Sequence, residues 1–250
     1  MALQEEMESQ GNFLFRHRGN FPIIILVVGF YMYLQMKLHK GIEPLKESSM
    51  EDIYVFVCLF VSLFGLIIRI YTVGHTPANT SGRNTTGQLA DELNSSGIYS
   101  AVRHPLYLGN FFMWLGPAML TANFWFIVAF IFVYWVYYER IMFAEEQFLR
   151  KKFGTVYTNW ASRTPAIIPS TKNFEKPSMP FSWKKVLKKE KNGLVAVFLI
   201  FFLFDAAGKY VMKEKIEANF LMWGCIVSTV LYFILKYLKN SSKVLDEEGR

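Results

Sequence analysis

Two short stretches hold the residues that could do chemistry. One is Arg103-His104-Pro105-Leu106-Tyr107, which runs from a polar connection straight into an apolar segment. The other is Glu145-Glu146, near the charged end of the next apolar segment. Proline lacks a backbone N–H and suits the first position of a helix. The residue before it is pushed out of helical geometry. His104 is therefore predicted to be extended, and Pro105 to open a helix. The first-turn N–H groups of that helix are unpaired and its start is partly positive. With Arg103 beside it, this is a place for a carboxylate or phosphate. Gly109 has no side chain, so a ligand or a second helix can come close. Each stretch also has a plain reading. Arg and His at the cytoplasmic end of a span are ordinary topology signals, and Tyr107 is an ordinary interfacial aromatic. Glu146 and Arg150, four apart, can pair on a solvated helix face.

The elements that must position these residues are membrane segments. The chain has 250 residues, 52% of them hydrophobic and 17% aromatic, and the apolar ones are clumped. Residues 21–38 contain no acidic residue, and residues 53–73 carry one charge, Arg69. Residues 106–120 and 124–138 carry none and are split by Thr121-Ala122-Asn123. Residues 194–212 and 219–238 form a further pair. A bilayer crossing takes about 20 apolar residues, and these segments are apolar all round, without the polar face of a soluble helix. The expected fold is all-α: a polytopic transmembrane bundle of about six spans, with 106–138 as a tight helical hairpin tipped near Pro117 and Asn123. Its charged exit helix is predicted to end at Gly154, a natural C-cap.

Orientation follows from Lys and Arg. The connection 139–193 holds twelve of them, so it is expected to be cytoplasmic. Six spans then put both termini and the loop 74–106 on the same side. The two polar connections flank one hairpin, whose ends lie together. Arg103, His104 and Tyr107 then face Glu139, Glu145 and Glu146 at the mouth of an apolar groove. That suits a ligand charged at one end and flat at the other, beside a lipid-soluble substrate. The net charge of +7 needs no nucleic acid. The basic run 182–192 reads as a flank that favours anionic headgroups. Cys58 and Cys225 sit far apart in apolar segments without metal-ligand spacing, so no metal is expected.

The ordered pattern Gly97-x-Tyr99…Arg103-His104-Pro105-x-Tyr107-x-Gly109, then Glu145-Glu146-x-x-Leu149-x-x-x-Phe153-Gly154-x-x-Tyr157…Pro165…Pro169, resembles the isoprenylcysteine carboxyl methyltransferase family. It is also similar to the wider group of integral-membrane methyltransferases that act on phospholipid amines and small thiols. The resemblance covers roughly residues 90–170. It divides the chain into N-terminal spans and loop (1–89), a methyltransferase core (90–170), and a basic linker with two further spans (171–250). It implies S-adenosylmethionine at the cytoplasmic end of the hairpin and a lipophilic or small amphiphilic methyl acceptor drawn from the bilayer. Leu93, Tyr99, His104, Pro105, Leu106, Tyr107 and Glu145 fall where the family contacts the cofactor. Arg103 is expected to neutralise charge there. The family's substrate-carboxylate arginine falls at Ile141, and the nearest arginine, Arg140, is one place off.

Methyl transfer from a sulfonium needs alignment and exclusion of water more than acid–base machinery. A carboxylate or thiolate acceptor needs no base, whereas an amine needs a deprotonator, for which Glu146 is the candidate. No Gly-rich strand-to-helix motif for a Rossmann-type site occurs. Two other readings stand beside this one. A membrane NADPH-dependent reductase related to sterol reductases has a similar core but is usually longer. A non-catalytic membrane protein such as a transporter would carry ionisable residues along its spans, and here they collect at one face.

Overall fold

The computed structural model describes residues 2–39, 48–80 and 88–250. Residues 81–87, within the loop expected to be cytoplasmic, lie outside the described residues. Helices are the only regular elements among those described: α1 Leu3–Arg16, α2 Asn20–Leu38, α3 Ser48–Gly74, α4 Ile98–Ala101, α5 Pro105–Leu120, α6 Phe124–Phe153, α7 Thr155–Ala161, α8 Trp183–Val211 and α9 Phe220–Ser241. Four of them, α3, α6, α8 and α9, are long and apolar enough to cross a membrane. The remaining two apolar helices of the expected six are shorter: α2 over Pro22–Leu38, and α5 with 16 residues. At 1.5 Å per residue α5 rises about 24 Å, less than a hydrocarbon core of roughly 30 Å.

The hairpin forms as the sequence predicts. Pro105 occupies the first turn of α5, and His104 caps it with a non-helical φ of −122°. Thr121, Ala122 and Asn123 make the reversal, and the Asn123 side chain accepts from the Phe126 N–H to start α6. The helix α6 then runs on for 30 residues and stops at Gly154. Gly154 has φ 53°, the left-handed conformation that favours glycine, and its N–H donates to the Arg150 carbonyl.

The most extensive partner of α5 is not α6 but α3. The reason is a seam of small residues. A Cβ on Gly109 would lie 2.6 Å from Arg69 Cγ and 2.9 Å from the Gly65 carbonyl oxygen, and one on Gly116 would lie 2.5 Å from the Cys58 carbonyl. Tails of lipid are as apolar as leucine, so helices in a bilayer associate by close packing, and small residues allow it. The close approach expected at Gly109 is thus made by a helix. On its other side α3 meets α8, which pairs with α9. The helix α1 lies along α6, with Gly11 packed on the Arg140 carbonyl. Cys58 is fully buried and Cys225 partly so, both as free thiols.

Candidate active site

The loop before α5 is fixed by backbone bonds to the segment after α6. Gly97, at φ 61°, turns the chain into α4, and its N–H donates to the Glu175 carbonyl at 3.0 Å. The Arg103 N–H donates to the Pro165 carbonyl at 2.9 Å, and the Ser170 N–H to the Ala101 carbonyl at 2.9 Å. The Trp160 indole donates to the Tyr99 carbonyl at 3.1 Å. The two halves of the sequence pattern are therefore held against each other by main-chain bonds and by the Trp160 side chain.

The side chains between them form a charged network. Arg103 Nη1 donates to Glu146 Oε2 at 2.7 Å, and His104 Nε2 meets Glu146 Oε1 at 2.9 Å. His104 Nδ1 lies 3.6 Å from Glu145 Oε2. A neutral imidazole has one N–H, and a ring facing a carboxylate from each nitrogen is served only when both carry protons. Burial works against the imidazolium, but the hydrogen bonds and charges of Glu145 and Glu146 outweigh it, so the His104 pKa is raised. The Glu146–Arg150 surface pair that the spacing allows gives way to this network.

Aromatic residues surround it. The His104 and Tyr107 rings stack at 5.8 Å, Tyr107 and Tyr138 lie 4.9 Å apart, and Tyr134 stacks on Tyr138 at 4.3 Å. The Tyr134 hydroxyl donates to the Tyr107 carbonyl at 2.8 Å, which pins the first turn of α5 to α6. The Tyr107 and Tyr157 hydroxyls and Arg103 Nε are buried and have no hydrogen-bond partner among the described residues. Desolvation keeps the Tyr99 and Tyr157 phenols protonated, with pKa values above the ordinary range.

Most of these groups, though not Glu146 or Tyr134, border a cavity of about 840 Å³ at the end of the bundle where α5 and α8 begin and α3 ends. Leu93, Tyr99 and His104 line it, as do Pro105, Leu106 and Tyr107. Glu145 and Arg103 line it as well. Glu146 and Arg140 do not. The Glu146 carboxylate lies behind the lining, taken up by Arg103 and His104. Arg140 lies where α1 covers α6. Neither borders this cavity, the one lined by the other residues of the pattern.

Three contributions to the cavity are not in the sequence pattern. Arg69 on α3 forms a two-pronged bridge to Glu190 on α8, Nε to Oε2 at 2.9 Å and Nη2 to Oε1 at 2.7 Å, and its Nη1 donates to Asn110 on α5 at 2.7 Å. All three residues line the cavity. The signal was present: Arg69 is the one charge in its apolar segment, and such residues mark functional sites by default. Second, Phe15 and Arg18 reach the cavity from the N-terminal region, with the Arg18 guanidinium 4.2 Å from the Phe15 ring centroid. Third, α8 forms a wall. The basic run is accordingly more than a flank: Lys185 is buried and donates to the Thr76 and Pro77 carbonyls at 2.6 and 2.9 Å, and Glu190 faces Arg69.

Fold and site define a class: a polytopic helical integral-membrane protein with a charged, aromatic-lined cavity at one end of its spans. Known proteins narrow it. Residues 53–156 match the phospholipid methyltransferase family. The chain is 40% identical over 78 residues to a protein-S-isoprenylcysteine O-methyltransferase of Schizosaccharomyces pombe, covering 31% of this chain and 33% of that one. It is 32% identical over 152 residues to the Saccharomyces cerevisiae protein of the same name, covering 60% and 61%. A nickel-cobalt-cadmium resistance protein, NccN, of Alcaligenes xylosoxydans xylosoxydans is 28% identical over 171 residues, 67% of this chain and 71% of that one. The chain thus spans about a third to three-fifths of the length of the two methyltransferases. No solved structure matches it. Among the described residues, no group of three or more His, Cys, Asp and Glu side chains is placed to hold a metal ion. The chain is an integral-membrane protein, part of whose sequence is similar to these methyltransferases.

Proposed function

We propose that this protein is an S-adenosylmethionine-dependent methyltransferase acting on a lipophilic acceptor. The observation that carries the reading is that both halves of the motif line one cavity, with His104 between Glu145 and Glu146. The residues fit such a cofactor. Glu145 offers a carboxylate to a cationic amino acid head. Tyr99 and Trp160 offer flat faces to a purine. The unpartnered Tyr107 and Tyr157 hydroxyls have bonds to give. When bound, S-adenosylmethionine supplies an electrophilic methyl group on a sulfonium.

The chain's own work is then orientation and exclusion of water. Arg103 and Glu146 hold His104, and His104 holds Glu145 at the cavity wall. Glu146 is a positioning residue here, because Arg103 and His104 occupy its carboxylate. With Glu146 so engaged, the site favours an acceptor that is already a nucleophile, a carboxylate or thiolate, over an amine that needs a base. The isoprenylcysteine O-methyltransferases among its relatives agree with a carboxylate. The cavity end is assigned to the cytoplasmic side with both termini, from the basic residues of 139–193. The test is titration of detergent-purified protein with adenosylhomocysteine. Binding in the micromolar range, about −8 kcal/mol, supports the reading. A folded protein that binds NADPH but not adenosylhomocysteine excludes it.

A further inference from the structure

The helix α8 lies outside residues 53–156, the part matched to the methyltransferase family. Yet it gives the cavity a continuous stripe. Glu190, Gly193, Ala196, Val197 and Ile200 all line it. Their spacing places them on one face of the helix. From Glu190 to Ile200 that face rises about 15 Å. It is polar at one end and apolar at the other. Met113 and Pro117 of α5 and Pro22 of α2 line the same cavity along the apolar part.

The polar end is built rather than incidental. The Glu190 side chain is 4% exposed and that of Arg69 13%. A partly buried arginine with one carboxylate and one amide partner is held in one orientation. Guanidinium has five N–H donors. Nε and one N–H from each terminal nitrogen are used on Glu190 and Asn110, which leaves two for a ligand. The Arg69 cluster joins α3, α5 and α8 at the level where the cofactor-end residues meet the apolar stripe. A molecule matching this arrangement has an oxygen-bearing head and a single flexible hydrocarbon chain.

We propose that α8 is the acceptor wall of the site: Glu190 positions Arg69 toward the acceptor's head, and the Ala196–Ile200 face sets how long a chain is taken. The inference rests on the methyltransferase reading and adds the acceptor's place and shape to it. It assigns a role to a helix that the sequence pattern leaves without one.

The test is calorimetric titration of purified full-length protein with adenosylhomocysteine and, separately, with N-acetyl-S-prenylcysteines bearing geranyl, farnesyl or geranylgeranyl chains. Adenosylhomocysteine tests the methyltransferase reading and the fold; the prenyl series tests α8. Ala196→Phe fills the apolar stripe. It should leave adenosylhomocysteine affinity unchanged, weaken the longest chain by about tenfold or more, and weaken the shortest by less than about threefold. Glu190→Gln should weaken all three chains alike, again with adenosylhomocysteine binding intact. Val227→Phe, on an exposed position of α9, should change nothing. Equal losses across chain lengths in Ala196→Phe overturn the proposal. So does unchanged binding of all three chains in that variant. So does a wild-type protein that binds adenosylhomocysteine but none of the prenylcysteines.

Discussion

Replacing Glu146 by glutamine separates the two roles that a carboxylate at this position can have. The side chain keeps its size and loses its charge. It accepts two charge-assisted hydrogen bonds, from Arg103 at 2.7 Å and His104 at 2.9 Å. Each such bond is worth about 1.5–3 kcal/mol. Glutamine still offers one acceptor oxygen, so the expected loss is about 3 kcal/mol in all rather than the full sum. For a chain of this size that lowers Tm by roughly 6–12 °C. A second consequence runs through His104. Its pKa is raised, because the two glutamates outweigh the effect of burial. The stability this contributes is fully present below the ordinary imidazole value of about 6.5 and is lost as pH rises through the raised value. Glu146→Gln removes one of the two carboxylates, so the loss is smaller and is complete at lower pH. The assay is thermal unfolding in detergent across neutral and alkaline pH, read alongside adenosylhomocysteine affinity. A positioning role predicts a lower Tm and a shifted pH profile. A variant with unchanged Tm, unchanged pH profile and intact cofactor affinity but no turnover would refute the reasoning, because it would make Glu146 a base.

Further outcomes follow from the same geometry. His104→Ala and Glu145→Gln should each weaken adenosylmethionine binding by roughly tenfold to a hundredfold, and the double mutant should depart from additivity because both hold one ligand. Gly109→Ala places a Cβ 2.6 Å from Arg69 Cγ and should cost about 1–3 kcal/mol of stability in a denaturation series. Lys188→Ala breaks only an exposed pair with Asp246 and should leave both cofactor affinity and Tm within error. A cysteine at Ser178 should react with a membrane-impermeant thiol reagent only after the cytoplasmic side is opened, and one near Glu217 from outside.

What could be read from the sequence was local in character. Pro105 as a helix start, Asn123 near a hairpin tip and Gly154 as a helix stop each depend on the conformational limits of one residue, and each stands in the structure where expected. The meeting of Arg103 and His104 with Glu145 and Glu146 was legible too, because a hairpin must return its ends to one place. What was not legible depends on partners chosen in three dimensions. Arg69 and Glu190 are 121 residues apart, and nothing in either neighbourhood names the other. The glycines at 65 and 109 were visible, but not that they face each other across α3 and α5. Glu146 had a good partner four residues on, and the local rule favoured it. The pull of Arg103 and His104 across the hairpin is stronger than a pair on a solvated face. The last two spans had no motif, so the cavity wall supplied by α8 emerges only from packing.

The central claim is methyl transfer from S-adenosylmethionine to a lipophilic acceptor. The most direct test incubates membranes containing the protein with S-adenosylmethionine bearing a trideuterated methyl group, then identifies labelled lipid-soluble products by mass spectrometry. Membranes carrying the Glu145→Gln variant serve as the control. A trideuteromethyl-labelled amphiphile is expected, formed with the unmodified protein and greatly reduced with the variant. Equal labelling from both membranes, or no labelled lipid-soluble product from a protein that binds adenosylhomocysteine, would contradict it.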